Sequence, residues 1–245
     1  MENKIIWADL SGNFKLAQRN DKFKFGTDAV LLSYFASVKS KHKLVDLCAG
    51  TGAVGFLCYL RYNTEKTVFV EIDEEMTELS RITSETNGVS DKFAHITCDI
   101  YNLDNSIIKN QWADYITVNP PYFLINSGKI NNNLDVTVAR HCKNDFLDVL
   151  FKKSFSILKD GGKIAMINRS EHLTDMIFYM RKNGIEPKRL RNVYPYEDKN
   201  ANLVLIEGMK NASLALISEP PLILYKKNGE YTEEFSDIQK LRRNI

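Results

Sequence analysis

Several things are scarce or missing in this chain of 245 residues. No apolar run approaches the roughly 18 residues that a membrane span needs, so no membrane partner is expected. The opening Met1-Glu2-Asn3-Lys4-Ile5 holds no signal-peptide core, which points to a cytoplasmic protein. Four cysteines (Cys48, Cys58, Cys98, Cys142) are scattered with no CxxC pair, which argues against a zinc ribbon or a disulfide framework. The four histidines show no ligand spacing, so no metal is assigned. Internal repeats, low-complexity linkers and signs of an obligate protein partner are absent from the sequence. Neither sign of charge prevails: 33 Lys+Arg against 31 Asp+Glu leave +2. What is present is ordinary globular material, 44% hydrophobic and 26% charged, of a length that suits one large domain with small additions.

The near-zero total conceals a distribution. Residues 1–43 carry net +4, residues 44–120 net −7, residues 121–183 net +4 and residues 184–245 net +1. Surface potential follows local charge, so an acidic block flanked by basic ones can serve both a cationic ligand and a polyanion.

Short β-branched runs alternate with helical patterns. Strands are expected at 43–48, 67–72, 93–98, 114–118 and 163–168. Helices are expected at 53–62, from the Asp73 cap to about 87, at 146–158 and from 170 to about 183. This alternation predicts βαβ units and an α/β fold with a mostly parallel sheet. Two last runs, 190–194 and 202–207, have no helix between them and predict an antiparallel hairpin on the sheet edge. Residues 1–43 read as a small basic N-terminal extension, about 20 polar residues and then a helix at 27–36, ahead of a domain spanning 44–245.

Gly50, Gly52 and Gly55 form a GxGxxG turn between the first βαβ strand and helix, and Glu71 lies 21 residues past Gly50. Such a turn lets a nucleotide-type ligand approach the backbone and a helix N-terminus, while the acid can accept both ribose hydroxyls. Asp46 favours S-adenosylmethionine (SAM) over a dinucleotide, because it suits a cationic amine and repels a pyrophosphate. Its alternative role is that of a helix-cap aspartate. Asp99 ends the third strand, where it can accept from an adenine amino group or stand as a solvated loop aspartate.

Asn119-Pro120-Pro121-Tyr122 follows the fourth strand. Two prolines fix φ and remove two donors, leaving a stiff turn that presents the Asn119 side-chain oxygen and the Pro120 carbonyl as acceptors, with Tyr122 as a stacking plane. Two rigid acceptors grip an NH2 group through both hydrogens and aim its lone pair at an electrophile. These bonds strengthen as charge grows on nitrogen, so no strong general base is required.

On these residues the chain resembles the class I SAM-dependent methyltransferases, with Asp46 to Gly52 as motif I and Asn119 to Tyr122 as motif IV. More narrowly it resembles the bacterial valine-tRNA (adenine-37-N6) methyltransferases. Phe25-Gly26-Thr27-Asp28-Ala29-Val30-Leu31-Leu32, Ala139-Arg140-His141 and Leu224 to Phe235 carry the narrower likeness. The resemblance implies a Rossmann-like fold with a seven-stranded, mostly parallel sheet, SAM as cofactor and a flipped adenine of a tRNA anticodon loop as substrate. It implies that Gly26, Thr27 and Asp28 close over the methionine end, with the N-terminal extension packed on the cofactor site. Asp46, Cys48, Ala49, Gly50 and Gly52 hold the cofactor backbone, Glu71 and Ile72 the ribose side, Asp99 and Ile100 the adenine. Asn119, which also borders the cofactor, would act with Pro120, Pro121 and Tyr122 on the target base. Cys142 stands where relatives often carry Glu.

RNA contact is a separate expectation. Lys15, Arg19, Lys22 and Lys24, interleaved with Phe14, Phe23 and Phe25, form a candidate strip, extended by Lys188-Arg189-Leu190-Arg191 and Lys226-Lys227, with Arg140 as a further phosphate contact. The competing readings are a protein glutamine-N5 methyltransferase, a DNA adenine methyltransferase, an NAD(P)-dependent oxidoreductase and a non-catalytic RNA-binding protein.

Overall fold

The computed structural model describes residues 5–21, 24–121 and 145–240. The sheet is built from β3 (Lys43–Leu47), β4 (Lys66–Glu71), β5 (Phe93–Thr97), β6 (Ala113–Val118), β7 (Leu158–Arg169), β8 (Ile185–Tyr194) and β9 (Leu203–Lys210). Their order is β8-β9-β7-β6-β3-β4-β5, with β9 antiparallel to both neighbours and every other pairing among the seven parallel. This is the Rossmann-like class I methyltransferase arrangement. The strand order reverses between β3 and β6, which opens a crevice beyond their C-terminal ends.

The helices are α1 (Thr27–Phe35), α2 (Ala53–Tyr62), α3 (Glu74–Thr86), α4 (Phe146–Ile157), α5 (Leu173–Lys182) and α6 (Glu233–Gln239). The two sheet faces carry separate cores. One gathers Leu31, Leu32, Phe56, Leu57, Phe69 and Phe235 beneath α1, α2 and α6, and the other gathers Leu150, Phe151, Met176 and Met180 from α4 and α5. Strands buried on both faces need the near-continuous apolar runs seen in the sequence. Asp73 caps α3 as its position suggested, its side chain accepting from Glu75 N and Met76 N.

Two corrections concern the edges. The last hairpin lies at the sheet edge as expected, with β9 between β7 and β8. The outer edge of β8 is covered in turn by β10 (Ile217–Ser218) and β11 (Leu222–Ile223), two-residue strands too short to leave a periodic signal. Residues 5–19, within the expected polar lead-in, form a hairpin of β1 (Ile5–Ser11) and β2 (Phe14–Arg19), turning at Gly12 with φ +58°. Gly-Asn between two short runs was the available signal.

The hairpin runs along α3. Lys15 N donates to the Asn87 side chain at 3.0 Å, Ala17 N to Thr83 Oγ1 at 2.9 Å, and Arg19 meets Glu75 at 3.0 Å. Because Glu75 is in the first turn of α3, just past the end of β4, β2 finishes at the crevice end of the sheet. Helix α1 is placed by its other end. Arg61 and Tyr62 at the end of α2 donate to Ser33 Oγ (3.2 Å) and to the Ser33 and Tyr34 carbonyls (3.2 and 3.3 Å). Beyond α1, the Ser37 hydroxyl donates to buried Glu207 at 2.5 Å, which also accepts from Tyr115 OH and, at 3.1 Å, from Lys163. Helices α1 and α2 therefore run in the same sense, and Gly26-Thr27-Asp28 lies at the end where α2 begins.

Candidate functional site

The glycine turn follows β3 directly. Cys48, Gly50 and Gly52 all have positive φ (+55°, +55° and +83°), so the chain reverses within five residues and delivers α2 pointing away from the crevice. A Cβ at Gly50 would meet nothing within 4 Å, which leaves open space against the turn. Gly55 plays a different part: a Cβ there would lie 2.3 Å from Phe69 Cε1, so this glycine seats α2 on the sheet.

Three carboxylates surround the turn. Asp46 is 1% exposed, with Oδ2 accepting from Gly55 N at 3.0 Å and Oδ1 from Thr117 Oγ1 at 2.7 Å. It thereby caps the first turn of α2 from the preceding strand, the alternative role foreseen for it. Burial pushes its carboxyl up to about 7, and the two donors only partly pull it back. Glu71 ends β4. Its Oε2 accepts from Gly50 N at 2.7 Å, and its Oε1 from Ile72 N and Asp73 N at 2.9 and 3.0 Å. Burial raises its carboxyl as well, outweighing three backbone donors that favour the charge. Asp99 ends β5 and accepts from Tyr101 N at 3.0 Å, capping the single turn Ile100–Asn102. Between them Ile72 exposes 37% of its surface while Ile100 is buried.

This donor set fits SAM better than a dinucleotide. The Gly50 N–H that a pyrophosphate needs is held by a carboxylate, and no described cation lies among the polar contacts of the turn. An adenosine with a cationic amino acid end asks instead for carboxylate acceptors and an apolar edge, which Asp46, Glu71, Asp99 and Ile72 supply.

Asn119 and Pro121 are half-buried and Pro120 buried at the end of β6, the strand adjacent to β3. The structure thus gathers Asp46, Cys48, Ala49, Gly50, Gly52, Glu71, Ile72, Asp99, Ile100, Asn119, Pro120 and Pro121 at the C-terminal ends of four neighbouring parallel strands. Thr117, paired in register with Asp46, was missed, because which strand lies beside β3 is not legible locally. Tyr122, Lys22 and Arg140, with Phe23, Ala139, His141 and Cys142, lie outside the described residues.

Several members of the candidate RNA strip are engaged within the fold. Phe14 is buried with its ring centroid 5.5 Å from that of Phe56 and offers no stacking face, and Phe25 is half-buried against the same core. Arg19 is held by Asp21 at 2.6 Å and by Glu75. Arg189 and Arg191 on β8 turn to Glu219 (2.7 Å) and Glu234 (2.6 Å), tying down the C-terminal segment. Lys24 is exposed, just ahead of Gly26.

Comparison with known proteins agrees with this geometry. The methyltransferase small domain model matches residues 18–182. The chain is 26% identical over 230 residues to a Porphyromonas gingivalis protein named tRNA1(Val) (adenine(37)-N6)-methyltransferase, covering 91% of this chain and 89% of that one. A protein of the same name from Parabacteroides distasonis is 28% identical over 222 residues, covering 89% of each. The crystal structure of a predicted O-methyltransferase from Agrobacterium tumefaciens superposes with a TM-score of 0.72 at 18% identity, covering 89% of this chain and 98% of that one.

Proposed function

From the premise that the chain belongs to the methyltransferase small domain family and is a SAM-dependent methyltransferase, we propose that its acceptor is the N6 amine of an adenine in tRNA, position 37 of a valine tRNA. The observation that carries this reading is the Asn119-Pro120-Pro121 turn at the end of β6, beside the carboxylate-lined glycine turn of β3. The relatives' names supply the tRNA and the position.

SAM, when bound, supplies an electrophilic methyl group. Asp46 takes its ammonium end, directly or through water, Glu71 the ribose hydroxyls and Asp99 the adenine amine. Gly26, Thr27 and Asp28, at the start of α1, close over the methionine end. The flipped adenine presents N6 to the Asn119 side-chain oxygen and the Pro120 carbonyl, and Tyr122 stacks on its ring. Holding both N6 hydrogens turns the nitrogen lone pair toward the methyl. The methylated nitrogen is acidic enough to release its proton to water, so no side chain need act as base. Lys22, Lys24 and Arg140 contact the RNA backbone, and the protein works in the cytoplasm.

The test is transfer of labelled methyl from SAM to total tRNA of a strain lacking the protein, with the modified nucleoside mapped. Wild type labels N6 of adenine 37, and Asn119→Ala abolishes transfer while keeping SAM affinity. Label appearing in protein instead of RNA, or undiminished turnover by Asn119→Ala, overturns the reading.

A further inference from the structure

Thr117 lies wholly buried on β6, two residues before Asn119, and its register partner across the crevice point is Asp46. Its hydroxyl, 2.7 Å from Asp46 Oδ1, is the single side-chain donor to that carboxylate among the described residues; the other contact is the Gly55 N–H. A carboxylate 1% exposed holds its charge only through such donors. Among the described residues the charged neighbourhood offers no other help: the titratable groups facing Asp46 there are Glu71 from β4, Cys48 from the turn and Cys58 from α2. The first is a like charge, and both thiols are raised by burial and stay neutral.

Resting on the assignment of Asp46 to the cofactor's ammonium group, we propose that Thr117 is a positioning residue whose hydroxyl keeps the Asp46 carboxylate an oriented acceptor, so that SAM affinity is set from the same strand that carries the Asn119 turn. The bond also couples two sites. Any shift of β6 that moves Asn119 must lengthen or carry with it the Thr117–Asp46 contact, and Asp46 in turn holds the first turn of α2 through Gly55. The affinity for SAM and the geometry at the target amine are thereby linked through one hydroxyl.

The sign of the pH dependence follows. The Asp46 carboxyl titrates at about 7, so the acceptor is present above that pH and is lost below it. Removing the hydroxyl removes a bond that favours the charged form, and the midpoint must move to higher pH.

The experiment is calorimetric titration of the full chain with SAM from pH 6 to 9, together with steady-state methylation of tRNA. Thr117→Val is expected to weaken SAM about fivefold at pH 7, where the wild-type acceptor is itself half-titrated, the equivalent of a midpoint displaced by about one pH unit. The loss should fall on KM for SAM, with kcat at saturating SAM reduced less than about twofold. Thr117→Ser, which keeps the hydroxyl, should restore the wild-type midpoint and shows that the effect is the donor and not the packing. In the double variant with Asp46→Asn, Thr117→Val should add nothing further. A Thr117→Val pH profile superimposable on wild type overturns the proposal. So does a Thr117→Ser profile as displaced as that of Thr117→Val. Unchanged SAM affinity in Asp46→Asn overturns the assignment of Asp46 itself, a separate failure.

Discussion

Replacing Gly55 by alanine sets two opposed effects against each other. Alanine is favoured over glycine inside a helix by about 1 kcal/mol, through lower backbone entropy in the unfolded chain. Against this, the new Cβ would lie 2.3 Å from Phe69 Cε1 and 3.1 Å from both Phe69 Cζ and Thr67 Cγ2. Carbon atoms rest about 3.5–4 Å apart, so ring and helix must separate by more than about 1 Å. Phe69 cannot yield cheaply. It is 1% exposed and wedged among Phe56, Phe93 and His95, with ring centroids 4.8, 5.4 and 5.3 Å away. Overpacking of this kind costs about 1–3 kcal/mol, and a forced shift this large belongs at the upper end. The net loss is then about 1–2 kcal/mol, which for a chain of this size lowers Tm by about 2–8 °C. Differential scanning calorimetry measures it directly. The same displacement draws Gly55 N–H away from Asp46, so the stabilisation given by added SAM should shrink as well. An unchanged or higher Tm would show that α2 accommodates the methyl group and that the third glycine is not a packing requirement.

Two further outcomes are expected. Cys48 holds φ +55° in a turn whose other two positive-φ positions are glycines, and its side chain packs at the margin of the core, so in Cys48→Gly the relief of about 1–2 kcal/mol of backbone strain should outweigh the packing lost and raise Tm by a few degrees; a lower Tm would show that the packing outweighs the strain. His95 is kept neutral in the fold, burial lowering it from 6.5 to about 4, with Ser80 at 2.7 Å and Ser84 at 3.0 Å on its two ring nitrogens. Its contribution is complete above about 6.5 and is lost as pH falls toward 4, so Tm against pH should decline over that window in wild type and less steeply in His95→Gln; parallel curves would place the acid limb elsewhere.

Much of the fold was legible because its strands are buried on both faces. Runs such as Leu44-Val45-Asp46-Leu47 and Thr67-Val68-Phe69-Val70 have few other readings, and Asp73 announced α3 with a capping side chain. The site was legible for a related reason: in an alternating α/β chain the ends of consecutive strands must converge, so Asp46, Glu71, Asp99 and Asn119 could be brought together without knowing a single distance. What escaped was whatever depends on long-range pairing. Thr117 is an ordinary strand threonine until β3 is known to lie beside it. Arg189 and Arg191 read as a basic cluster until Glu219 and Glu234 are seen against them. Phe14 and Phe25 read as interleaved aromatics until the hairpin is docked.

The insertion of β9 between β7 and β8 fixes the order in which this protein can be completed. β7 and β8 have no ladder with each other, so neither can finish its pairing before residues 203–210 leave the ribosome. β3 to β7 can form a partial sheet earlier, but with the inner edge of β7 bare. The link from Ser37 to Glu207, 170 positions apart, closes only at that late moment, so the helix bearing Gly26-Thr27-Asp28, already held by Arg61 and Tyr62, gains its last anchor only then. A nascent or truncated chain ending short of about residue 210 therefore presents an open strand to any passing β-segment, and its fate is association with other chains rather than a smaller working enzyme.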